Sequence, residues 1–478
     1  MLDLLVDLVD RAQGHCAYAE ARHVSTDDEH LLVRNGQVER VDSLSGEGIG
    51  VRVRVGGAWG FAASARATRE DGERALAKAL EIARAMPAAA GHVLTPVPPA
   101  LGHWSGPCEI DPFAIPLERR LDLLVEAEAG LRGDARIAQS TAECSLRRQA
   151  SAFASTEGAA CTQLRTETGG GIQVVAVDGD ELQVRSYPSA HGGNVGLGGW
   201  ERMVALDLAR NAGAVRDEAL ALLSAPPCPA GRRTLVLGSE QLSLQVHESI
   251  GHALELDRVL LGEASYAGTS WVAPGDVGSL RYGSEQLTVV ADATLRGALG
   301  SFGWDDEGVA AARTTLISDG RLLATLSDRQ SAAAQGLPAS AGCARADGFA
   351  RQPIVRMTNV SIAPGSAGTL ADLIADTDDG LYLETNRSWS IDDRRLHFQF
   401  GTEVAHVIRG GELAGLVRNP SYAGITPSFW RSLDAVCSEP AWDVHGVLNC
   451  GKGEPGQLMR VSHGTAPARF RDVEVGVA

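Results

Sequence analysis

Two imidazoles and three carboxylates fall within eleven residues of an otherwise largely apolar stretch, His247-Glu248-Ser249-Ile250-Gly251-His252-Ala253-Leu254-Glu255-Leu256-Asp257. Neutral imidazoles hold a divalent metal, and a carboxylate beside them takes the proton from a metal-activated water, so these residue types suit hydrolysis. The familiar arrangement is H-E-x-x-H, with both histidines on one helical face. Here one more residue separates them. At 3.6 residues per turn, positions i and i+5 lie about 140° apart, too far round a regular helix to share an ion. A single π-type turn of about 4.4 residues brings them to about 50°. Gly251 is the residue expected where a helix loosens, so the spacing predicts a helix distorted near Gly251. Two isolated histidines would read as ordinary core residues; Glu248 beside the first, and Glu255 and Asp257 after the second, argue against that.

A catalytic zinc takes three protein ligands and leaves one position for water. Candidates for the third are Cys450, His445, His463, His397, His406, Glu255, Asp257 and Glu384. Cys450 stands out in Leu448-Asn449-Cys450-Gly451-Lys452-Gly453, a glycine-flanked segment that reads as a loop able to approach a ligand closely. Lys452 nearby would favour the thiolate.

The elements that position these residues divide into two parts, 1–225 and 226–478. The first is α+β and carries an internal duplication at an offset of 122 or 123 residues. Leu2 onward forms an amphipathic helix, residues 30–40 alternate around the turn Asn35-Gly36, residues 48–55 form a glycine-opened strand, and Thr68 to Met86 forms a helix. The pattern returns at residues 150–158 and 170–177, with a helix over Trp200 to Leu223. Between the copies lie a Pro- and Gly-rich connector, His92 to Ile115, and a helix over residues 116–131. Pro226-Pro227-Cys228-Pro229-Ala230-Gly231 marks the boundary. Beyond it come a strand at residues 233–237, the motif-bearing helix from Ser239 or Glu240, and a mainly antiparallel β domain around that helix. Short helices are expected at residues 368–374 and 428–437.

Composition bounds the function. The 478 residues carry 60 acids against 43 bases, a net charge of −17, which disfavours phosphate-backbone binding and hence nucleic acid as a partner. No apolar run is long enough to span a membrane, and the amino terminus lacks a basic start. Eight cysteines without a C-x-x-C pair suit a cytoplasmic protein.

His247-Glu248-x-x-x-His252-x-x-Glu255-x-Asp257, Arg356-Met357-Thr358-Asn359, Gly380-Leu381-Tyr382-Leu383-Glu384-Thr385, Asn449-Cys450-Gly451-Lys452 and Val461-Ser462-His463-Gly464 together resemble the TldD/PmbA family of metallopeptidases, in order and spacing over essentially the whole chain. The resemblance implies the metal-bearing TldD type, with His247, His252 and Cys450 as Zn²⁺ ligands and Glu248 as general base. It also implies action on unfolded or leader peptides inside a closed dimer chamber, with either a second copy or a TldE/PmbA-like subunit as partner. Two departures bear on the partner: Leu256 stands where such proteins commonly have Gly, and Leu260 to Trp271 resembles an outlying branch. His463 and Tyr382 are candidate substrate or oxyanion contacts. Two rival readings are a non-catalytic scaffold subunit, disfavoured by the intact His, Glu, His and Cys set, and a cysteine hydrolase using Cys450 with His445 or His463.

Overall fold

A computed structural model describes residues 1–87, 93–262, 268–453 and 455–476. The start of the Pro/Gly connector at His92 and the middle of the stretch Leu260 to Trp271 lie outside the described residues.

The first part is built twice from one plan. Helix α1 (Leu2–Ala12) is followed by strands β1 (Tyr18–Arg34), β2 (Gln37–Val55) and β3 (Ala58–Ser64) and helix α2 (Arg69–Ala85). After a short strand β4 (Leu101–Ser105) the order recurs: helix α3 (Leu117–Leu131), then β5 (Ile137–Ser155), β6 (Ala160–Asp178), β7 (Glu181–Tyr187) and β8 (Asn194–Leu197), then helices α4 (Trp200–Ala205) and α5 (Leu208–Ser224). The copies join through their first strands, β1 lying antiparallel to β5 from Glu20↔Ser155 to Arg34↔Thr141. One eight-stranded sheet results, in the order β3-β2-β1-β5-β6-β4 with β7 and β8 also on β6. Each copy buries its own helices. Leu5, Leu8, Leu76 and Ala79 pack with Ile49, Val51 and Val53, whereas Leu124, Leu131 and Val215 pack with Leu31, Ile172 and Val174.

The single helix expected over Trp200 to Leu223 is two. Asp207 adopts φ 48° between them, a left-handed conformation that a short polar side chain tolerates and a helix cannot continue through. The helix expected at residues 428–437 is instead Thr426–Arg431, followed by a strand, Leu433–Val436, that pairs with Ala468–Val475.

The second part begins with strand β9 (Gly231–Leu237). It pairs in parallel with Asp379–Ile391 and antiparallel with Ala468–Val475, and the pairing continues through Ser421–Ile425 to His397–Arg409. Because His397–Arg409 also pairs with Asp379–Ile391, this path closes on itself. Helix α6 (Ser239–Val246) leaves β9 through Gly238 and is buried from Gln241 to Val246. The Tyr422 hydroxyl donates to Gln245 Oε1 at 3.0 Å and accepts from Gln241 Nε2 at 2.8 Å, fixing the helix on an aromatic cluster that includes Phe398, Phe429 and Phe470. Among the described residues no helix is long and apolar enough to cross a membrane.

Candidate metal centre

The extra residue between the histidines is absorbed as its spacing requires. Helix α6 passes into a π turn over His247–Gly251, in which the backbone N–H of His252 reaches the carbonyl of His247, and then into a 3₁₀ turn over His252–Leu254. Side chains secure the turn. Ser249 Oγ donates to Gln245 O at 2.6 Å, Trp430 Nε1 donates to Ser249 Oγ at 2.9 Å, and Tyr282 donates to the Ser249 carbonyl. Gly251 has ordinary helical dihedrals, with φ −54°, so conformational freedom is not its role. A Cβ there would sit 2.0 Å from Met357 Sδ; the glycine makes room for a buried methionine under the turn.

The two imidazoles stand edge to face with centroids 4.8 Å apart. Their free nitrogens and the Cys450 sulfur lie within 4.8 Å of one another, all buried. Cys450 Sγ is 3.4 Å from His252 Nε2. Ligands at about 2.0–2.1 Å (N) and 2.3 Å (S) around a tetrahedral ion stand about 3.6 Å apart, so the Cys450–His252 spacing is compatible with zinc.

Hydrogen bonds fix the tautomers. The Val360 carbonyl can only accept, so His463 donates to it from Nδ1 at 2.6 Å and presents a lone pair at Nε2. His247 Nδ1 therefore donates to His463 Nε2 at 2.8 Å, leaving the His247 Nε2 lone pair free. Glu255 accepts from His252 Nδ1 at 2.9 Å and frees His252 Nε2 in the same way. Burial pushes His247 down to about 4 and also lowers His252 and His463, so all three are neutral near pH 7. Burial pushes the Cys450 thiol up, but Arg356 and His252 outweigh it and bring the thiol below its ordinary value. Two neutral imidazoles and a thiol inclined to ionise form a donor set suited to a thiophilic divalent metal.

The supporting shell differs from the sequence reading in three respects. Cys450 lies on a strand, Asp443–Lys452, displaced by a bulge between Val447 and Cys450, and not in a loop. Lys452 does not face the thiol; it donates to Asp257 Oδ1 and Oδ2 at 2.7 Å and to the Val355 carbonyl at 2.7 Å, with Glu255 at 3.3 Å. Arg356, fully buried, donates to the Cys450 carbonyl and supplies the positive charge instead. Glu255 is shared between His252, Arg258 Nε at 2.7 Å and Lys452, which hold it well below the usual carboxylate range against its burial.

A cavity of about 190 Å³ opens on the three donors and Glu248. Glu248 Oε2 is 2.8 Å from Arg395 Nη1. Arg395 sits at φ 60° in the turn before His397–Arg409 and was not singled out by the sequence, since nothing in its local pattern ties it to a residue 147 positions away. His445 lines the cavity, pairing through Nε2 with Ser239 Oγ at 2.8 Å, its Nδ1 without a partner among the described residues.

Neither candidate oxyanion contact lines this cavity. His463 is wholly buried behind His247, where it sets a tautomer. Tyr382 points elsewhere: its hydroxyl donates to Glu384 and its ring stacks on His406 at 5.8 Å. Its position two residues before Glu384 in a strand accounts for this. His397, His406, Glu384 and Asp257 also lie outside the converging set among the described residues.

A buried His-His-Cys set that could hold a metal ion, with an adjacent carboxylate in a cleft, is the arrangement a metal-dependent hydrolase needs. Models of the PmbA/TldA metallopeptidase family match the chain over residues 19–86 (domain 1), 110–223 (central domain) and 230–477 (C-terminal domain). The protein belongs to this family and is a metallopeptidase. It is 30% identical over 475 residues to a metalloprotease of Methanothermobacter thermautotrophicus, covering 99% of this chain and 97% of that one. It is 26% identical to the metalloprotease TldD homolog of Haemophilus influenzae, covering 96% and 92%. The fold superposes on TldE from Thermococcus kodakarensis with a TM-score of 0.73 at 16% identity, covering 99% of this chain and all of that one.

Proposed function

We propose that the chain is a zinc-dependent peptidase acting on extended or unfolded peptides, with His247, His252 and Cys450 as metal ligands and Glu248 as general base. The observation that carries this reading is the convergence of the three donor atoms within 4.8 Å. A Zn²⁺ ion bound by these three residues would supply Lewis acidity toward the scissile carbonyl and the attacking water. Glu248 faces the same cavity; its carboxylate takes the proton of the attacking water and returns it to the departing amine. Arg395, 2.8 Å away, holds that carboxylate in one rotamer. His463 and Glu255 keep the imidazoles turned so that their Nε2 lone pairs meet.

An extended substrate is supported by the strand Asp443–Lys452. Every residue from His445 to Gly451 lines the cavity, and among the described residues this strand is paired only with Gln457–Thr465. A peptide adding along such an edge is read through its backbone and is tolerated in many sequences. The likeness to TldE and to TldD homologs supports a two-subunit assembly closing over the cavity, either with a second copy or with a TldE/PmbA-like partner. The eight cysteines, none in a disulfide, suit the cytoplasm.

The test is cleavage of an unstructured peptide by the purified chain, alone and with a TldE-like partner, before and after chelation. Cleavage abolished by chelator and restored by Zn²⁺ is expected. Cleavage that survives chelation and is stopped by thiol alkylation would replace this reading with a Cys450 hydrolase, in which His252, not His445 or His463, is the imidazole at the sulfur.

A further inference from the structure

A second cavity, of about 210 Å³, lies between the eight-stranded sheet and the second part of the chain, and Leu448 is common to its wall and to that of the candidate metal centre. Four arginines line it: Arg147, Arg165, Arg345 and Arg460. Their compensation is incomplete. Glu167, itself buried, is divided between Arg165 at 3.1 Å and Arg460 at 3.0 Å, and Arg147 pairs with Asp28 at 3.0 Å. Arg345 is 5% exposed and forms no ion pair among the described residues; its guanidinium donates only to the carbonyls of Met357 at 2.9 Å and Arg460 at 3.0 Å. Arg165 Nε has no partner among the described residues.

The acids on the same wall are turned to other work. Asp305 accepts from the backbone N–H groups of Glu307, Val309 and Ala344, Asp306 from that of Ala346 while facing Arg22, and Asp347 from that of Leu458. Burial, with Arg165 and Arg356 close by, outweighs the more distant carboxylates of Asp306 and Glu167 and pushes Arg345 down to about 9. A buried guanidinium facing a cavity calls for an anion, and its planar fork matches a carboxylate.

We infer that this cavity takes a carboxylate of the peptide substrate, held by Arg345 and Arg165, while the chain passes over Leu448 toward the candidate metal centre. The inference rests on the peptidase reading for the identity of the ligand. Two sources share this chemistry, the peptide's terminal carboxylate and an Asp or Glu side chain.

The test is binding of fluorophore-labelled unstructured peptides to the full-length Glu248→Gln protein, which leaves the arginines untouched and slows turnover. Three peptides are compared: one with a free terminal carboxylate, the same peptide amidated, and the amidated peptide with one internal Gln changed to Glu. A charge-assisted pair in a buried site gives about a tenfold or greater preference for one acidic form. Preference for the free terminus assigns the cavity to it, and preference for the internal Glu assigns it to a side chain; either supports the inference. Arg345→Gln should reduce the preference to less than about twofold, and Arg147→Gln, which removes a positive charge from the same wall, should reduce it to a lesser extent, with zinc content unchanged in both. Arg147 is partly exposed, so its variant guards against misfolding at the buried position. Equal binding of all three peptides by the wild-type arginines, or a preference untouched by both variants, overturns it. Because binding is read without cleavage, failure of the peptidase reading would appear separately, as absence of hydrolysis by the unsubstituted protein.

Discussion

Glu248→Gln separates the general base from the metal ligands. The carboxylate is 2.8 Å from Arg395, with side-chain exposures of 9% and 16%, so the site has little room for a change of shape. Glutamine keeps that shape, and its amide oxygen still accepts from Arg395 Nη1, but it cannot take a proton. Loss of a general base lowers turnover by about 10²–10⁴-fold, a barrier increase of about 3–5 kcal/mol. The weaker neutral hydrogen bond to Arg395 costs about 1–3 kcal/mol of stability, small enough for the protein to remain folded. Glu248 is not among the three converging donors, so the metal stays. The assay is cleavage of an unstructured fluorogenic peptide, with kcat and KM measured separately and zinc determined on the same sample. The expected result is a kcat reduced by at least about a hundredfold, KM within about threefold, and unchanged zinc. A kcat within about tenfold of wild type at full zinc content would refute the role of Glu248 as base. Loss of the metal would show instead that Glu248 belongs to the ligand set.

Three further outcomes are expected. Glu255→Gln weakens the acceptor of His252 Nδ1–H and removes a charge shared by Arg258 and Lys452, so zinc affinity should fall about 10–100-fold in a chelator competition; unchanged affinity would remove Glu255 from the supporting shell. Gly251→Ala drives a Cβ to 2.0 Å from Met357 Sδ, and thermal denaturation should show a loss of about 1–3 kcal/mol; a neutral result would mean that the turn relaxes freely. Burial pushes Glu403 up to about 7 despite the opposing Arg185 and Ser186. The folded state then binds the proton more tightly than the unfolded one between about pH 4.5 and 7, so this group's contribution is present at low pH and is lost as pH rises through that window, by at most about 3 kcal/mol. Chemical denaturation of Glu403→Gln should lack that decline, and a profile identical to wild type would contradict it.

What was legible in the sequence was what local geometry dictates. The i to i+5 histidine spacing demanded an irregular turn, and a π turn stands there; Asn35-Gly36 marked a hairpin; the repeated strand pattern marked the duplicated sheet. Cys450 was a different matter. It meets His252 across 198 residues, a distance no periodicity encodes; its flanking glycines and Lys452 made it stand out among eight candidates, and the family motif implies the same residue. The charge neighbour differs for the same reason: Lys452 stands two residues from Cys450 on one strand, but Asp257, Glu255 and the Val355 carbonyl, all distant in sequence, draw its ammonium away, and the positive charge at the sulfur comes from Arg356. Arg395 and the arginine cavity were invisible because their contacts join segments from three or more distant parts of the chain.

The central claim is that His247, His252 and Cys450 bind one zinc ion. Elemental analysis of the purified full-length protein, beside His252→Ala and Cys450→Ser, tests it most directly. The account predicts one zinc per chain, lost or weakened by orders of magnitude in both variants while far-ultraviolet circular dichroism remains that of the folded protein. Absence of zinc after reconstitution, or zinc retained at full stoichiometry and affinity in both folded variants, would contradict it.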